Sequence, residues 1–341
     1  MNNTLAKPKR YAGLDILKTI CAFLVVCIHA RFPGDFGRYT VAVARVAVPV
    51  FLMITGFFYS GTREKGREGK QVVKILKLVL WSSVIFFVML LGFNAASGKA
   101  GQYIAETFTW KKIYEFLVFN ASMFSDHLWY LGAILYVLLI VWGLFKAFPN
   151  GAKKILYTVT PLLLVGDLLL GKYSLVFFDR EFPYLWVRNF LFVGIPYFTL
   201  GYFMKEKEDF FRSKSKWLWA VLSVLFVGTT VLERWLLIEN GVNATRDHYI
   251  SSTLLAVALF ALFIDSAWNN DGLGLVKRIG REWSTEIYII HPVFLSILNY
   301  LIPKPEKYAA YAWTRPFIVF AITTVMVALY FAIKNKIAKK D

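Results

Sequence analysis

Long apolar stretches recur along the whole chain, separated by short polar connections. A helix of about 20 predominantly apolar residues crosses the bilayer core, which is about 30 Å thick. Ten stretches approach this length, and they cover residues 11–30, 40–60, 72–96, 127–146, 153–171, 185–204, 216–237, 250–267, 280–302 and 313–333. We therefore predict an all-α polytopic membrane bundle of about ten transmembrane helices, forming a single domain over residues 1–341.

One further segment, residues 110–124, is amphipathic and too short to cross a bilayer. Such a segment is typical of a helix that lies in the membrane interface, and we predict that position for it. Two of the ten stretches depart from the simple pattern, because residues 153–171 contain Pro161 and Asp167 and residues 250–267 are short.

Composition and charge favour a membrane protein and exclude a soluble basic one. Hydrophobic residues make up 57% of the 341 residues and the mean hydropathy is +0.53, although the formal net charge is +17. A nucleic-acid-binding domain of this charge would be far more polar, so we expect membrane lipid and no nucleic acid as a partner. Lys and Arg are about twice as frequent in the loops on one side of the predicted spans, which predicts that both termini are cytoplasmic.

The first predicted helix carries ionisable residues that a purely apolar span does not need. Lys18, Ala22, Val25 and His29 share one face at helical spacing, with Lys18 and His29 about 16 Å apart along the axis. Asp15 lies one turn before Lys18 and can pair with it. Intramembrane charge costs about 2.5–3.5 kcal/mol or more and usually marks a functional site. The alternative is an interfacial ion pair and an imidazole at the helix end.

Other ionisable residues lie near the predicted outer ends of several spans. Arg45 lies in the outer half of the second span, where we expect Pro49 to bend the helix, and Arg188 opens the sixth. The remaining members are Asp126, His127, Trp129, Tyr130, Asp167, Glu233 and Arg234. Each alone is more often an interface anchor than a catalyst. Together they suit a base that titrates near neutrality beside cations that stabilise a developing oxyanion.

The remaining histidines have simpler interpretations. His291 falls in the middle of the ninth span, where a buried, hydrogen-bonded ring is the favoured interpretation, and His248 falls in an outer loop, where we expect it to be solvated. The four histidines lie in four distant segments without metal-ligand spacing, so we expect no metal.

A basic cluster precedes and enters the third predicted helix on the cytoplasmic side. Its main members are Arg63, Lys70, Lys74 and Lys77. Retention of Lys and Arg on the cytoplasmic side, in contact with anionic lipid, explains such a cluster at least as well as function does. The functional interpretation is a clamp for a phosphate-rich cytoplasmic donor.

Five segments of the chain together resemble the acyltransferase-3 family of integral-membrane O-acyltransferases. They are YAGLDILKTICAFLVVCIH, RVAVPVFLMITGFF, HLWYLGAILY, RNFLFVGIPYFTLGYF and EIYIIHP, in the family's usual order. The resemblance implies transfer of an acyl group, often acetyl, from cytoplasmic acetyl-CoA or another acyl-CoA to a hydroxyl of an extracytoplasmic acceptor. The acceptor would be a cell-envelope glycan or a small polar molecule, and the enzyme would lie in the bacterial inner or plasma membrane.

The resemblance also implies roles for individual residues. His29 would be the general base or acyl-relay residue, in a catalytic group of Asp15, Lys18, His29, Arg45 and Arg188. The acceptor side would comprise His127, Trp129, Tyr130 and Glu233. The acyl-CoA contacts would comprise Arg63, Lys70, Lys74, Lys77, Tyr288 and His291. The pantetheine arm would reach His29 along the face of the first helix that carries Lys18.

Two departures from the family pattern keep a second function open. Lys18 stands where Arg is commoner, and Ile134 stands where many members have Glu. The chain therefore looks more like the branch that contains the membrane domain of vancomycin-resistance serine racemases, for which serine export is described. A transporter of a small polar solute is the main alternative, and a membrane scaffold without chemistry is the third.

Overall fold

The structure, a computed structural model, describes residues 10–242, 248–265, 268 and 272–338. Within these ranges the regular secondary structure is helical and contains no strand. The α-helices are α1 (Ala12–His29), α2 (Gly34–Ala44), α3 (Ala47–Glu64), α4 (Glu68–Ala96), α5 (Ala100–Thr107), α6 (Trp110–Phe119), α7 (Trp129–Ala147), α8 (Ala152–Leu170), α9 (Ser174–Phe178), α10 (Ile195–Glu206), α11 (Glu208–Ser213), α12 (Lys216–Glu239), α13 (Ile250–Phe263), α14 (Gly274–Arg278), α15 (Ser284–Leu301) and α16 (Ala309–Ile337). Short 3₁₀ turns occupy Asp126–Leu128, Tyr184–Trp186 and Pro305–Lys307, and π-helical turns occupy Phe190–Gly194 and Ile279–Trp283.

Six helical stretches of the described chain are long and apolar enough to cross a membrane. They are Ala12–His29, Gly34–Glu64, Glu68–Ala96, Asp126–Ala147, Lys216–Glu239 and Ala309–Ile337. A multi-pass membrane protein is therefore confirmed. The other four predicted spans contain the helices α8, α10, α13 and α15, which fall short in length or apolar character. The number ten and the cytoplasmic position of the termini stay predictions.

Contacts divide the chain into two compact units. The first comprises Met1–Ala47, Glu208–Val227 and Leu254–Asp341, and the second comprises Val48–Lys207 and Gly228–Thr253. The helix α1 is central to the first unit and packs against α2, α14, α15 and α16. Its approach to a neighbouring turn is close, because a Cβ at Gly280 would lie 1.7 Å from the carbonyl oxygen of Asp15. Small residues permit such close packing of helix backbones in membranes.

In the second unit, α3 and α10 approach each other through glycines in the same way. A Cβ at Gly56 would lie 1.9 Å from the carbonyl oxygen of Phe198, and a Cβ at Gly201 would lie 1.9 Å from that of Met53. Both glycines belong to the segments that carry the family resemblance, and their role in the fold is steric.

The second predicted span is interrupted between α2 and α3. The helix α2 ends at Ala44, and α3 begins at Ala47 after a turn at Arg45 and Val46. Proline lacks the backbone N–H, and its ring clashes with the carbonyl four residues earlier. The carbonyl four residues before Pro49 is that of Arg45, which explains the position of the break and confirms the predicted disturbance near Pro49.

The amphipathic segment predicted at 110–124 forms the shorter helix α6. The side chain of Thr109 caps it by accepting a hydrogen bond from the backbone N–H of Lys112. Trp110 and Tyr114 project from the helix with exposed fractions of 85% and 58%. These rings suit contact with the membrane interface, which stays a prediction. The preceding helix α5 was not anticipated from the sequence.

Candidate active site

The histidine that ends α1 lies beside a second histidine of the first unit. The side chain of His29 is exposed, whereas His291 in α15 is fully buried. Their ring centroids are 5.1 Å apart and their planes are inclined by 50°. The Nδ1–H of His291 donates to the carbonyl oxygens of Tyr288, at 2.8 Å, and Ile287, at 3.1 Å. The burial and hydrogen bonding favoured for His291 are therefore confirmed.

The predicted ion pair between Asp15 and Lys18, on the same face of α1, is present. The Nζ of Lys18 is 3.8 Å from Oδ1 of Asp15, and Nε of Arg10 is 3.7 Å from Oδ2 of the same carboxylate. Asp15 is buried, so two cations balance the charge of a carboxylate that has little access to water.

The face of α1 between Lys18 and His29 is covered by other parts of the protein. Ala22 is 0% exposed and Val25 is 2% exposed, so both residues are packed against protein. An open path for the pantetheine arm along this face was expected, and the described residues leave none at these two positions. The physical reason is that small apolar side chains at these two positions let neighbouring helices approach α1.

Arg45 lies at the break between α2 and α3, in the first unit. It is the C-cap residue of α2 and is half-buried. A cation at the C-terminal end of a helix interacts favourably with the helix dipole. Its predicted catalytic role stays a prediction.

In the second unit, Arg188 is held by a carboxylate and by aromatic rings. Both terminal nitrogens of its guanidinium donate to the Asp126 carboxylate, one of them at 2.8 Å. The guanidinium carbon lies 4.5 Å from the ring centroid of Tyr184 and 5.4 Å from that of Trp129. Arg188 is 9% exposed, while the side chain of Asp126 is 72% exposed. The structure thus brings Arg188 together with Trp129 from the predicted acceptor side.

The two neighbours of Trp129 on the predicted acceptor side are also buried. His127 shares a hydrogen bond of 2.8 Å between its Nδ1 and the Ser125 hydroxyl, and its ring lies 4.9 Å from that of Phe86. Tyr130 is 7% exposed. Both side chains therefore pack within the second unit.

Glu233 has a well-defined structural position at the start of α13. Its carboxylate accepts hydrogen bonds from the backbone N–H groups of Ile250, at 2.9 Å, and Ser251, at 3.0 Å. The hydroxyls of Ser251 and Tyr173 also donate to it. Burial raises the pKa of Tyr173, and the hydrogen bond to Glu233 raises it further, so this hydroxyl keeps its proton. The contacts are those of a helix cap, and the predicted role toward an acceptor stays a prediction.

His248 is buried, and the expectation that it is solvated is wrong. It is 4% exposed, and its Nδ1 lies 2.7 Å from Oδ2 of Asp167, which is 6% exposed. The ring also lies 5.4 Å from that of Tyr197. The error arose because the pair joins residues 81 positions apart, which no local pattern reveals. Lys172 and Arg188 line the same narrow space, which holds no position for a water molecule.

On the predicted cytoplasmic side, an open cleft of about 800 Å³ lies in the second unit. It is lined by Ser60, Arg63, Glu64, Glu68, Lys153, Tyr202, Glu206 and Lys207. The guanidinium of Arg63 stacks 4.0 Å from the ring centroid of Phe145. The other predicted donor contacts differ, because Lys70, Lys74 and Lys77 are exposed along α4, whereas Tyr288 is buried in the first unit.

One residue that sequence reasoning missed organises the surroundings of Arg188. The side-chain amide of Asn120 donates to the carbonyl oxygen of Trp129 at 3.0 Å, and its oxygen accepts from the backbone N–H of Phe190 at 2.7 Å. Asn120 has a positive φ of 50° and is 1% exposed. An asparagine after an amphipathic helix is a recognisable C-terminal signal, but its long-range hydrogen bonds are not.

Comparisons with known proteins give a consistent set of relatives. The acyltransferase-3 family model, described as an acyltransferase domain, matches residues 11–334. Two amino-acid racemases of Enterococcus faecalis are 25% identical, one over 62% of this chain and 30% of its own length, the other over 85% and 42%. A serine/alanine racemase of Enterococcus gallinarum is 24% identical over 86% of this chain and 42% of its own length. The chain thus spans less than half the length of these relatives, and no solved structure matches it.

Proposed function

Because the chain belongs to the acyltransferase-3 family, we propose that it transfers an acyl group, acetyl in the first instance, from cytoplasmic acyl-CoA to a hydroxyl of an extracytoplasmic acceptor such as a cell-envelope glycan. The observation that carries the proposal within the molecule is the position of His29. It is an exposed imidazole at the end of a largely buried apolar helix.

The proposed reaction needs a base that can also act as an acid. The acceptor hydroxyl oxygen attacks the thioester carbonyl carbon while its proton passes to His29, and a tetrahedral oxyanion forms. Collapse of that intermediate breaks the carbon–sulfur bond, and the CoA thiolate leaves and takes the proton from His29. Imidazole suits both steps because its ordinary pKa of about 6.5 lies near neutrality. Arg45, which belongs to the same unit as His29, is the proposed stabiliser of the oxyanion.

The donor would bind in the cytoplasmic-side cleft of the second unit. Its volume of about 800 Å³ lies in the range of pockets that hold cofactor-sized ligands. Arg63, Lys153 and Lys207 offer cationic donors to phosphate groups. The exposed Lys70, Lys74 and Lys77 would add a more distant attraction for a polyanion, which salt weakens.

One finding favours a second candidate function, the transport of a small amino acid. The relatives matched over 85% and 86% of this chain are named as racemases of amino acids, and more than half of their length lies outside the match. A membrane domain joined to a racemase would have a use for moving the free amino acid. In that case the buried charges within a unit, such as those of Asp167 and Arg188, would line a solute path.

Assays of the purified protein in lipid nanodiscs and in proteoliposomes distinguish the acyltransferase from the transporter. The acyltransferase releases CoA from radiolabelled acetyl-CoA and passes label to trial acceptors, which include glycan oligosaccharides and serine. Release of CoA that depends on acceptor supports the proposal. Flux of serine across proteoliposomes without CoA, together with no acetyl transfer to any trial acceptor, contradicts it and favours the transporter.

A further inference from the structure

The open cleft of the second unit is lined by carboxylates as well as by cations. Its charged lining residues are Arg63, Lys153, Lys207, Glu64, Glu68 and Glu206. Carboxylates repel a phosphate-rich ligand, so the attraction that the three cations exert on it is opposed within the same cleft. The effect of each carboxylate on binding depends on whether it occupies a cation that the ligand needs.

Glu206 and Glu64 have different partners in this cleft. The Oε1 of Glu206 accepts a hydrogen bond from Nζ of Lys153, and its Oε2 accepts one from the hydroxyl of Tyr157. Lys153 and Tyr157 lie one turn apart near the start of α8, and Glu206 ends α10, so these contacts join two helices. In contrast, Glu64 accepts a hydrogen bond of 3.0 Å from the hydroxyl of Ser60 in its own helix.

The ion pair between Lys153 and Glu206 lies within reach of a ligand. Their side chains are 46% and 26% exposed, and Nζ of Lys153 lies 5.8 Å from the ring centroid of Tyr202, which also lines the cleft. Burial alone would raise the pKa of Glu206, but its two hydrogen-bond donors bring it below its ordinary value, so the carboxylate is ionised at neutral pH. A phosphate group that binds Lys153 therefore has to displace a charged carboxylate. Because exposed ion pairs are weak, this displacement has a low cost.

We propose that Glu206 competes with phosphate groups for Lys153 and thereby sets the affinity of the cleft for phosphate-bearing ligands. A doubly charged phosphate attracts the ammonium group more strongly than a singly charged carboxylate does. The hydrogen bond between Glu206 and Tyr157 need not break, and it keeps the displaced carboxylate beside α8. A ligand with a single carboxylate has no such advantage over Glu206, so the competition favours phosphates over simple carboxylates. Its importance for acyl transfer rests on the proposed function, in which the ligand is the acyl-CoA donor.

Binding of CoA tests this competition without acyl transfer. Isothermal titration calorimetry of the purified protein in lipid nanodiscs measures the Kd. Glu206→Gln keeps the size of the side chain and removes its charge, and we expect it to bind CoA about fivefold more tightly, the upper range for the loss of an exposed ion pair. Glu64→Gln is the matched control, because it removes the same charge from the same cleft without touching Lys153. Its Kd should change by less than about twofold, since salt screens a charge that does not contact the ligand's partner.

A double-mutant cycle tests whether the effect of Glu206 acts through Lys153. Lys153→Ala alone should weaken CoA binding. In the Lys153→Ala background, Glu206→Gln should change the Kd no more than Glu64→Gln does. A fivefold effect that persists without Lys153 overturns the competition, because Glu206 would then act on the ligand directly.

The single variants give two further ways to overturn it. Equal effects of Glu206→Gln and Glu64→Gln on the Kd would show that only the overall charge of the cleft matters. Weaker binding of CoA by Glu206→Gln would show that Glu206 orients Lys153 for the ligand, which is the opposite role.

The outcomes separate this inference from the proposed function. Acetyl transfer by the wild type, together with a wild-type Kd in Glu206→Gln, overturns the competition and leaves the proposed function standing. Tighter binding by Glu206→Gln that depends on Lys153, without acetyl transfer by the wild type to any trial acceptor, supports the competition and contradicts the proposed function. If neither the wild type nor Glu206→Gln binds CoA, both fail, because the cleft then holds no phosphate-bearing donor.

Discussion

Open and closed polar sites in this protein contain similar residues but differ in what they can bind. His29 is exposed beside His291, and Arg63 lines a cleft of about 800 Å³. In contrast, His248 is buried against Asp167 in a space without room for water. An imidazole in the open site can exchange a proton with a substrate, whereas the closed one is committed to its carboxylate. The comparison shows that accessibility, more than residue type, separates candidates for chemistry from parts of the fold.

The largest expected effect distinguishes His29 from His248, and each histidine is replaced in turn. We expect His29→Ala to lower kcat for acetyl transfer by about 10²–10⁴-fold, the usual contribution of a general base. His248→Gln should keep kcat within about threefold of the wild type when it is expressed per folded molecule. Radiolabelled acetyl transfer in nanodiscs measures both. A fully active His29→Ala protein, or an inactive but folded His248→Gln protein, would reverse the assignment of the two sites.

The second test concerns what the closed site does for stability. Asp167→Asn removes the carboxylate that is hydrogen-bonded to the buried His248, and disturbing a buried hydrogen bond of this kind costs about 1–3 kcal/mol. We expect a clear fall in the thermal unfolding midpoint in nanodiscs. Glu239→Gln, at an exposed position at the end of α12, is the matched control and should leave the midpoint unchanged. Equal midpoints for wild type and Asp167→Asn would mean that the pair does not stabilise the fold.

The position of His29 could be predicted from the sequence because it depends mainly on residues of the same helix. Helical spacing alone placed His29 on the face that carries Lys18 and paired Lys18 with Asp15, and both the helix and the ion pair are present. Pro49 likewise predicted the interruption of the second span at Arg45. The contact of His29 with His291 depends on how α1 packs against α15, and spacing along one helix carries no information about that.

The closed site could not be predicted for the same physical reason. The partner of His248 lies 81 residues away, and the partners of Asn120 include the backbone of Phe190, 70 residues away. Tertiary packing decides which of these distant residues come into contact, while the sequence shows only a polar residue near a predicted helix end. The apolar residues Ala22 and Val25 likewise gave no sign that the face between Lys18 and His29 is packed shut.

A third test asks whether the cleft at Arg63 binds the acyl-CoA donor. Arg63→Ala removes a guanidinium that could bind a phosphate of the donor, and we expect the KM for acetyl-CoA to rise about tenfold with little change in kcat. The control is Lys111→Ala, whose exposed cation lies on α6, outside the cleft. Steady-state kinetics at two salt concentrations measure the effect. An unchanged KM in Arg63→Ala would exclude this arginine from donor binding.

The smallest expected effect comes from a carboxylate of the open cleft, and it contrasts directly with Asp167. Glu206 accepts hydrogen bonds from Lys153 and Tyr157. Burial alone would raise the pKa of Glu206, but these two donors bring it below its ordinary value. A lowered pKa means that the ionised form stabilises the fold above the unfolded value of about 4.3, and that this contribution is lost as the pH falls through the folded value.

We therefore expect Glu206→Gln to destabilise the protein at pH 7 by less than about 1 kcal/mol, because the pair is partly exposed and screened by water. The difference from the wild type should shrink as the pH falls from about 5 to 3. Thermal unfolding midpoints across this range measure it, with Glu239→Gln as the exposed control. A loss at pH 7 as large as that of Asp167→Asn would contradict the comparison, since an open carboxylate would then contribute as much to stability as a closed one.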